Sequence, residues 1–410
     1  MKIGMLAPSI YMSTTRFSDM IFAPRDLVVS LTDGLVEKGH EVHFFTAGDI
    51  ETKAKLVPGD ETLLHGKFKE AKLAAGESER LKWASFYGLK KDYEMDLTQR
   101  CYKMGLEGKL DVIHSYHDNI AHYFDELTGF PTVYTLHDPL PVEKDDIRHW
   151  FFSKFAHQSY VSISDSFRKH GSINVNFVDT VYHGLGLSEY PYVEKADNYL
   201  TAMGRMVPQK GLDDAVDVSS KLDIPLKLAT SDLKTNTHLA YYKDVLGPKI
   251  DKNEKVELTG FMSDAKKAEY LGRAKAFMFP IKWEEPFGMV MIESMACGTP
   301  VIAYGNGSVP EIIVDGVTGF IVEPDNINSK LEIRNPKINH KSQIQNMNKE
   351  NNWIIRKKGI EGLVEAVKRI GEIDRAGCRK HVEENFSVEK MVENYIKVYA
   401  KVIASKIDTP

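Results

Sequence analysis

Two stretches of the chain concentrate side chains able to do chemistry. The first is Gly204-Arg205-Met206-Val207-Pro208-Gln209-Lys210-Gly211, where two cations stand five positions apart directly after an apolar run. Arginine forks onto oxygen atoms, lysine supplies a compact charge, and the start of a following helix adds N–H donors, so this loop suits a diphosphate. The second stretch runs from Phe279 to Gly319 and carries Lys-Trp-Glu-Glu-Pro-Phe-Gly ahead of a helical pattern. There Phe287, Gly288 and Met289 can offer main-chain donors to a polar ligand, because a first helical turn has spare N–H groups and partial positive charge. Gly288 allows close approach to the backbone. Two carboxylates, Glu285 and Glu293, lie eight positions apart. Eight helical residues rise about 12 Å, beyond the roughly 5 to 9.5 Å of a hydrolase pair, so two ends of one long ligand are the more natural targets.

Other chemistries fit less well. The phosphate loop GxxxxGK[ST] does not occur, and no clean GxGxxG is present. His183-Gly184-Leu185-Gly186 lacks the third glycine, and Gly305-Asn306-Gly307-Ser308-Val309-Pro310 has proline in its place. A nicotinamide or flavin cofactor is therefore disfavoured, and none is expected. His114, His117 and His122, with Asp118 nearby, show no HExxH pattern, and only the first two share a useful spacing. They are expected to line a cleft or cap a strand, with no metal site.

These loops need elements to hold them. Lys2 to Ala7 reads as a buried strand, Arg25 to Lys38 as a helix closed by Gly39, and Glu41 to Thr46 as a second strand. Strand, helix, strand in this space is a βαβ unit with parallel strands. Further strands are expected from Asp111, Thr132 and Tyr160, with helical sequence between Glu51 and Gly108. The chain turns irregular from His183 to Tyr199, which marks a domain boundary. A second series follows, with strands in NYLTAMGR, PLKLAT, KVELTGF, AFMFP and TPVIAY and helices in LDDAVDVSSKL, SDAKKAEYLGRA and VMIESMAC. Asp325 to Lys358 is polar and asparagine-rich and reads as an insertion. Val388 to Ile403 places Met391, Tyr395, Val398, Tyr399 and Ile403 at helical spacing, as a docking helix. The expected architecture is α/β, with two doubly wound domains in tandem.

Composition agrees. The 410 residues allow two cores, and 42% apolar with 27% charged residues describes an ordinary globular chain. A net charge of −5 argues against a general nucleic-acid partner. Three scattered cysteines, Cys101, Cys297 and Cys378, do not make a disulfide framework. No apolar run reaches the roughly 18 residues of a membrane span, and the apolar part of MKIGMLAP is too short for a signal-peptide core. A cytoplasmic enzyme is expected, with peripheral contact at the inner membrane face left open.

The motifs in order, G-R-x4-K-G, E-P-F-G-x4-E, A-C-G-T-P-V-I-A and P-E-x3-D-G-x-T-G-F, resemble the retaining glycosyltransferases of family 4. The resemblance spans most of the chain and is weakest over Asp325 to Lys358. It implies a GT-B fold, with two Rossmann-like doubly wound domains facing across a cleft and a C-terminal helix crossing back to the N-domain. The implied division is 1–190 on the acceptor side, 191–386 for the nucleotide sugar with the 325–358 insertion, and 387–410 as the returning helix. The implied activity is metal-independent, retaining transfer of a sugar from a nucleoside diphosphate donor to an unknown acceptor (glycan, lipid or small molecule). Arg205 and Lys210 match the residues that neutralise the diphosphate, and Glu285 the carboxylate near the donor sugar. Glu293 matches the one holding the ribose hydroxyls, and Phe287, Gly288 and Met289 the backbone donors. His137, in Tyr-Thr-Leu-His-Asp, matches the N-domain histidine facing the transferred sugar. Gly204, Gly260 and Pro286 complete the substrate-binding set. One departure concerns Ser9 to Ala23, which contains no glycine where many members carry a pair; Arg16, Asp19 and Arg25 lie in or just beyond it. This loop is expected to shape acceptor choice. Two rival readings keep the fold: a phosphorylase or sugar-nucleotide epimerase, separable by product analysis, and a non-catalytic sugar-nucleotide-binding subunit, separable by the absence of transfer.

Overall fold

The computed structural model describes residues 1–15, 24–60, 79–116, 119–169, 171–230, 236–260, 262, 264–325 and 353–407. The chain divides into two compact units. One comprises Met1–Ile163, Gly171–Gly184 and Val388–Pro410; the other comprises Ser164–His170 and Leu185–Ser387.

The first unit is built on a seven-stranded parallel sheet in the order β3-β2-β1-β4-β5-β6-β7. These strands are Lys2–Leu6, Glu41–Thr46, Lys55–Pro58, Val112–Tyr116, Thr132–Thr135, Ser159–Ser162 and Phe177–Thr180, numbered in chain order. Central strands β4, β5 and β6 are buried throughout, as a parallel sheet covered on both faces requires. Helix Pro24–Glu37 follows Leu27, Val28, Leu31 and Leu35 onto the sheet. The terminal helix Val388–Ile407 belongs to this unit and packs on that first helix, where Gly34 is the point of contact. A Cβ at Gly34 would stand 2.7 Å from Val392 Cγ2. Tyr395, Val398 and Tyr399 are fully buried, so the docking face expected from their spacing is the face in use.

Two short strands were not expected. β3 and β7 lie at the sheet edges and are only partly buried, so their sequences lack the apolar signature of the inner strands. Of the helical sequence expected between Glu51 and Gly108, the described residues form the helix Glu79–Leu106.

The second unit repeats the plan with six parallel strands in the order β10-β9-β8-β11-β12-β13. These are Leu200–Gly204, Leu226–Thr230, Val256–Thr259, Ala276–Phe279, Val301–Tyr304 and Gly319–Val322, as β8 to β13. The helix Leu212–Leu222 has the bounds its periodicity predicts. Helical turns over Asn236–Ile250 were not anticipated. No described helix is long and apolar enough to cross a membrane. The loop residues Arg16 and Asp19, the pair His117 and Asp118, and most of the 325–358 insertion lie outside the described residues.

Candidate functional site

In a doubly wound sheet the chain reverses its direction of travel at one point, and the loops there separate into an open crevice beyond the strand ends. In the second sheet this point lies between β8 and β11. The loop after β8 is Arg205–Gly211, and the loop after β11 is Pro280–Gly288. Strand order thus brings together the two stretches singled out above.

Lys210 Nζ donates to Glu285 Oε2 at 2.7 Å, and both side chains are largely buried. Trp283 Nε1 donates to the same oxygen at 2.9 Å. The ammonium also stands 5.3 Å from the Trp283 ring centre and 5.8 Å from that of Phe279. Lys210 is therefore held in one place by a carboxylate and two aromatic faces. Arg205 is exposed, and its side chain makes no hydrogen bond or ion pair among the described residues. Its guanidinium remains available to an anion.

Backbone conformation sets the two loops against each other. Gly211 has φ +63, and a Cβ there would stand 1.9 Å from the Pro280 carbonyl oxygen. Only glycine lets the β8 loop close onto the end of β11. Gly288, the N-cap of helix Met289–Ala296, has φ 82 and no side chain caps that turn. The Met291 amide donates to the Gly288 carbonyl at 3.0 Å, and the amides of Met289 and Val290 are the first-turn donors left beside Glu285. Phe287 is buried, its carbonyl accepting from Ser308 Oγ at 2.7 Å, and the Pro286 carbonyl accepts from Ser164 Oγ at 2.7 Å. The loop's shape is thus fixed by hydroxyl groups outside the motif. Glu285 lies in the loop, not the helix, so the helical rise that separated it from Glu293 does not apply.

The donor set expected at helix Leu212–Leu222 is partly spent. Asp213 N–H donates to Tyr241 Oη, and the amides of Gly211 and Asp214 donate to the carbonyls of Pro208 and Gly211. Asp213 and Asp214 in its first turn bind Lys282 Nζ at 3.1 and 2.7 Å. Burial works to raise Asp213, yet Lys282 and Tyr241 leave it lowered; at Asp214 burial prevails and the carboxyl is raised. This buried group ties the Pro280–Gly288 loop to the helix. The groups of this site able to face an anion are the first turn of the Met289 helix, which no side chain caps, and the cations of the β8 loop.

Glu293 is buried one turn into that helix. Its Oε1 accepts from Tyr190 Oη at 3.1 Å and Lys267 Nζ at 3.0 Å. Gly204 ends β8, and Gly260 is exposed after β10 with open space around it.

His137 follows β5 in the first unit. Its ring lies 4.5 Å from that of Tyr116 and 5.3 Å from that of His183, the latter nearly parallel at 8°. His114 and His122 do not line a cleft or cap a strand, contrary to expectation. His114 is wholly buried, its two nitrogens 2.8 Å from Tyr399 Oη and Thr135 Oγ1. His122 pairs with Gln158 and stacks on Tyr134 at 3.9 Å. Helix packing over the sheet ends consumes both. In the first loop, Arg25 Nη2 donates to the Tyr11 carbonyl at 2.7 Å, a positioning role.

Sequence reasoning missed Trp283, Lys282, Ser308, Tyr190 and Lys267. Trp283 and Lys282 stood inside the motif loop and could have been weighed there. The other three carry no local signal, because their partners are distant in sequence.

Residues 191–333 match the family model for glycosyl transferases group 1. The chain is 28% identical over 299 residues to the uncharacterized glycosyltransferase MJ1178 of Methanocaldococcus jannaschii, covering 69% of this chain and 82% of that protein. Among solved structures, sucrose-phosphate synthase of Thermosynechococcus elongatus superposes with a TM-score of 0.66 at 16% identity, over 98% of this chain and 99% of the other. Anabaena HepE in complex with UDP gives a TM-score of 0.62 at 14% identity, over 98% and 100%. The fold is thus of GT-B type, and residues 191–333, which hold the Lys210–Glu285 site, match the glycosyl transferases group 1.

Proposed function

We propose that the protein transfers a sugar from a nucleoside diphosphate donor, with retention of configuration and without a metal ion, to an acceptor hydroxyl. The observation that carries this is the meeting of Lys210, Glu285 and the uncapped helix at Gly288 on one side of the switch point, with Arg205 exposed on the same loop as Lys210. Departure of the diphosphate breaks the glycosyl C1–O bond, and the electron pair leaves with the phosphate oxygen. Arg205 and Lys210 oppose that growing charge, and groups held in place before reaction stabilise it more in the transition state than in the ground state. The acceptor oxygen forms the new bond to C1, and its proton passes to the departing phosphate. Glu285 and Trp283 fix the ammonium beforehand, so little reorganisation is needed. Glu285, close to Lys210, is assigned to the donor sugar and Glu293 to the ribose. Phe287, Gly288 and Met289 are assigned as main-chain contacts, with Gly204, Gly260 and Pro286 around them.

For His137 the support is the family resemblance, together with a ring held between Tyr116 and His183. The three cysteines are free and buried, in keeping with a reducing cytoplasm. Domain limits of 1–190, 191–386 and 387–410 remain our division for function, with the acceptor assigned to the first. HepE, a fold neighbour solved with UDP, makes that nucleotide the first probe. A thermal-shift screen of nucleoside diphosphates should show one base raising the melting temperature, since a ligand bound only by the native state stabilises it by mass action. Absence of any shift with every base and its diphospho-sugar would refute the reading. Radiolabelled donor then separates transfer from phosphorolysis or epimerisation by product.

A further inference from the structure

Glu293 is held in an uneven way. An ionised carboxylate oxygen has two lone pairs, and Oε1 spends both, one on Tyr190 Oη and one on Lys267 Nζ. Oε2 is buried and has no hydrogen-bond partner among the described residues. Leaving such an acceptor unspent in the interior costs about 1–3 kcal/mol. The partners of Oε1 are themselves anchored. Arg379 Nη1 donates to the Tyr190 carbonyl at 2.6 Å and to the Ala296 carbonyl at 2.9 Å, binding Tyr190 to the end of the helix that carries Glu293. Lys267 Nζ lies 5.4 Å from the Tyr190 ring centre. Burial opposes charge on Lys267, but Glu293 and Tyr190 overcome it and raise its pKa.

We propose that Tyr190 and Lys267 are positioning residues that saturate Glu293 Oε1 and so reserve Oε2 for the ribose hydroxyls, setting the preference for ribonucleotides over their deoxy analogues. This rests on the assignment of Glu293 to the ribose and adds two residues that the motif does not contain. Tyr190 lies in the irregular stretch at the start of the second unit, and Lys267 on the helix Asp264–Gly272. Neither is expected to touch the ligand. They act by fixing the carboxylate's rotation.

The test is calorimetric titration of the full-length protein with UDP, its 2′,3′-dideoxy analogue and inorganic pyrophosphate. The wild type should prefer UDP over the dideoxy compound by about tenfold or more, the worth of a buried acceptor left unpaired. Tyr190→Phe and Lys267→Met should each reduce that preference by about threefold or more, as loss of one hydrogen bond implies. Their affinities for the dideoxy compound and pyrophosphate should stay unchanged. Tyr190→Phe removes a single oxygen, so it keeps the test open should Lys267→Met not fold. An unchanged preference in Tyr190→Phe, or a parallel loss for all three ligands, would overturn the proposal. A wild type that binds UDP without preferring ribose would overturn it too. A wild type that binds no nucleoside diphosphate of any base would instead bring down the proposed function on which it stands.

Discussion

The first unit buries a network of neutral histidines and tyrosines, with Glu94 and Asp125 as its buried carboxylates, whereas the second gathers three lysine–carboxylate groups around its loops. His114, His122 and His183 lie in the interior of the first unit with Tyr102, Tyr134, Tyr395 and Tyr399. Burial lowers His114 and His183 to about 3 and His122 to about 4, so each imidazole is neutral at pH 7. The second unit instead buries Lys210 with Glu285, Lys267 with Glu293, and Lys282 with Asp213 and Asp214. Neutral rings that hydrogen-bond to one another suit a scaffold whose work is packing. Charges held in the other interior are costly unless paired, and each of these lysines has a carboxylate oxygen within 3.1 Å. The difference teaches that the two sheets, alike in topology, are specialised by their side chains.

Acid should expose this contrast most strongly. A histidine whose folded pKa is depressed binds its proton only on unfolding, so its contribution is intact above the unfolded value near 6.5 and is lost as pH falls below it. Between pH 7 and 5 this amounts to about 2 kcal/mol per histidine, and the three act in the same direction. Peptide-resolved hydrogen exchange with urea titration should show the first unit losing protection first at pH 5. Earlier loss in the second unit would break the comparison.

Lys282→Met should come next in size. It leaves Asp214 buried without its cation and Asp213 with only Lys249 at 3.9 Å, and breaking such a pair costs about 3–5 kcal/mol. The loss should appear in the second unit alone by the same exchange measurement, and a change under 1 kcal/mol, the usual range for an exposed pair, would show that solvent reaches the group.

Asp125 provides the smallest test, and it has the opposite sign. This carboxyl lies in the first unit, and burial raises it to about 6 although Lys406 and Tyr134 work against the rise. The folded state then binds the extra proton, so stability falls as pH rises from about 4 to about 6. Asp125→Asn should flatten that segment, removing about 1 kcal/mol of the change between pH 5 and 7. A pH profile identical to the wild type would place Asp125 in contact with water.

How far the sequence carries is seen in particular residues. β2 and the helix Leu212–Leu222 coincide with their patterns because each combines an apolar period with clear ends. β13, Gly319–Val322, was passed over because its residues were read as the close of a loop motif. In the site, Gly288 was legible as a point of close backbone approach, while the positive φ of Gly211 and its contact with Pro280 emerge only from the fold. The Lys210–Glu285 pair did not, because its members meet only through strand order, across 75 positions. His114 had the opposite fate, looking available in sequence and proving to be enclosed by a helix from the far end of the chain.

The central claim is that Arg205 and Lys210 hold a diphosphate. It is tested most directly by calorimetric titration of the wild type, Arg205→Ala and Lys210→Ala with the nucleoside diphosphate found in the screen and with its parent nucleoside. The account predicts that each substitution weakens the diphosphate by about tenfold or more, in line with the loss of a charge-assisted hydrogen bond, and leaves the nucleoside unaffected. Equal affinity of wild type and both variants for the diphosphate would contradict it.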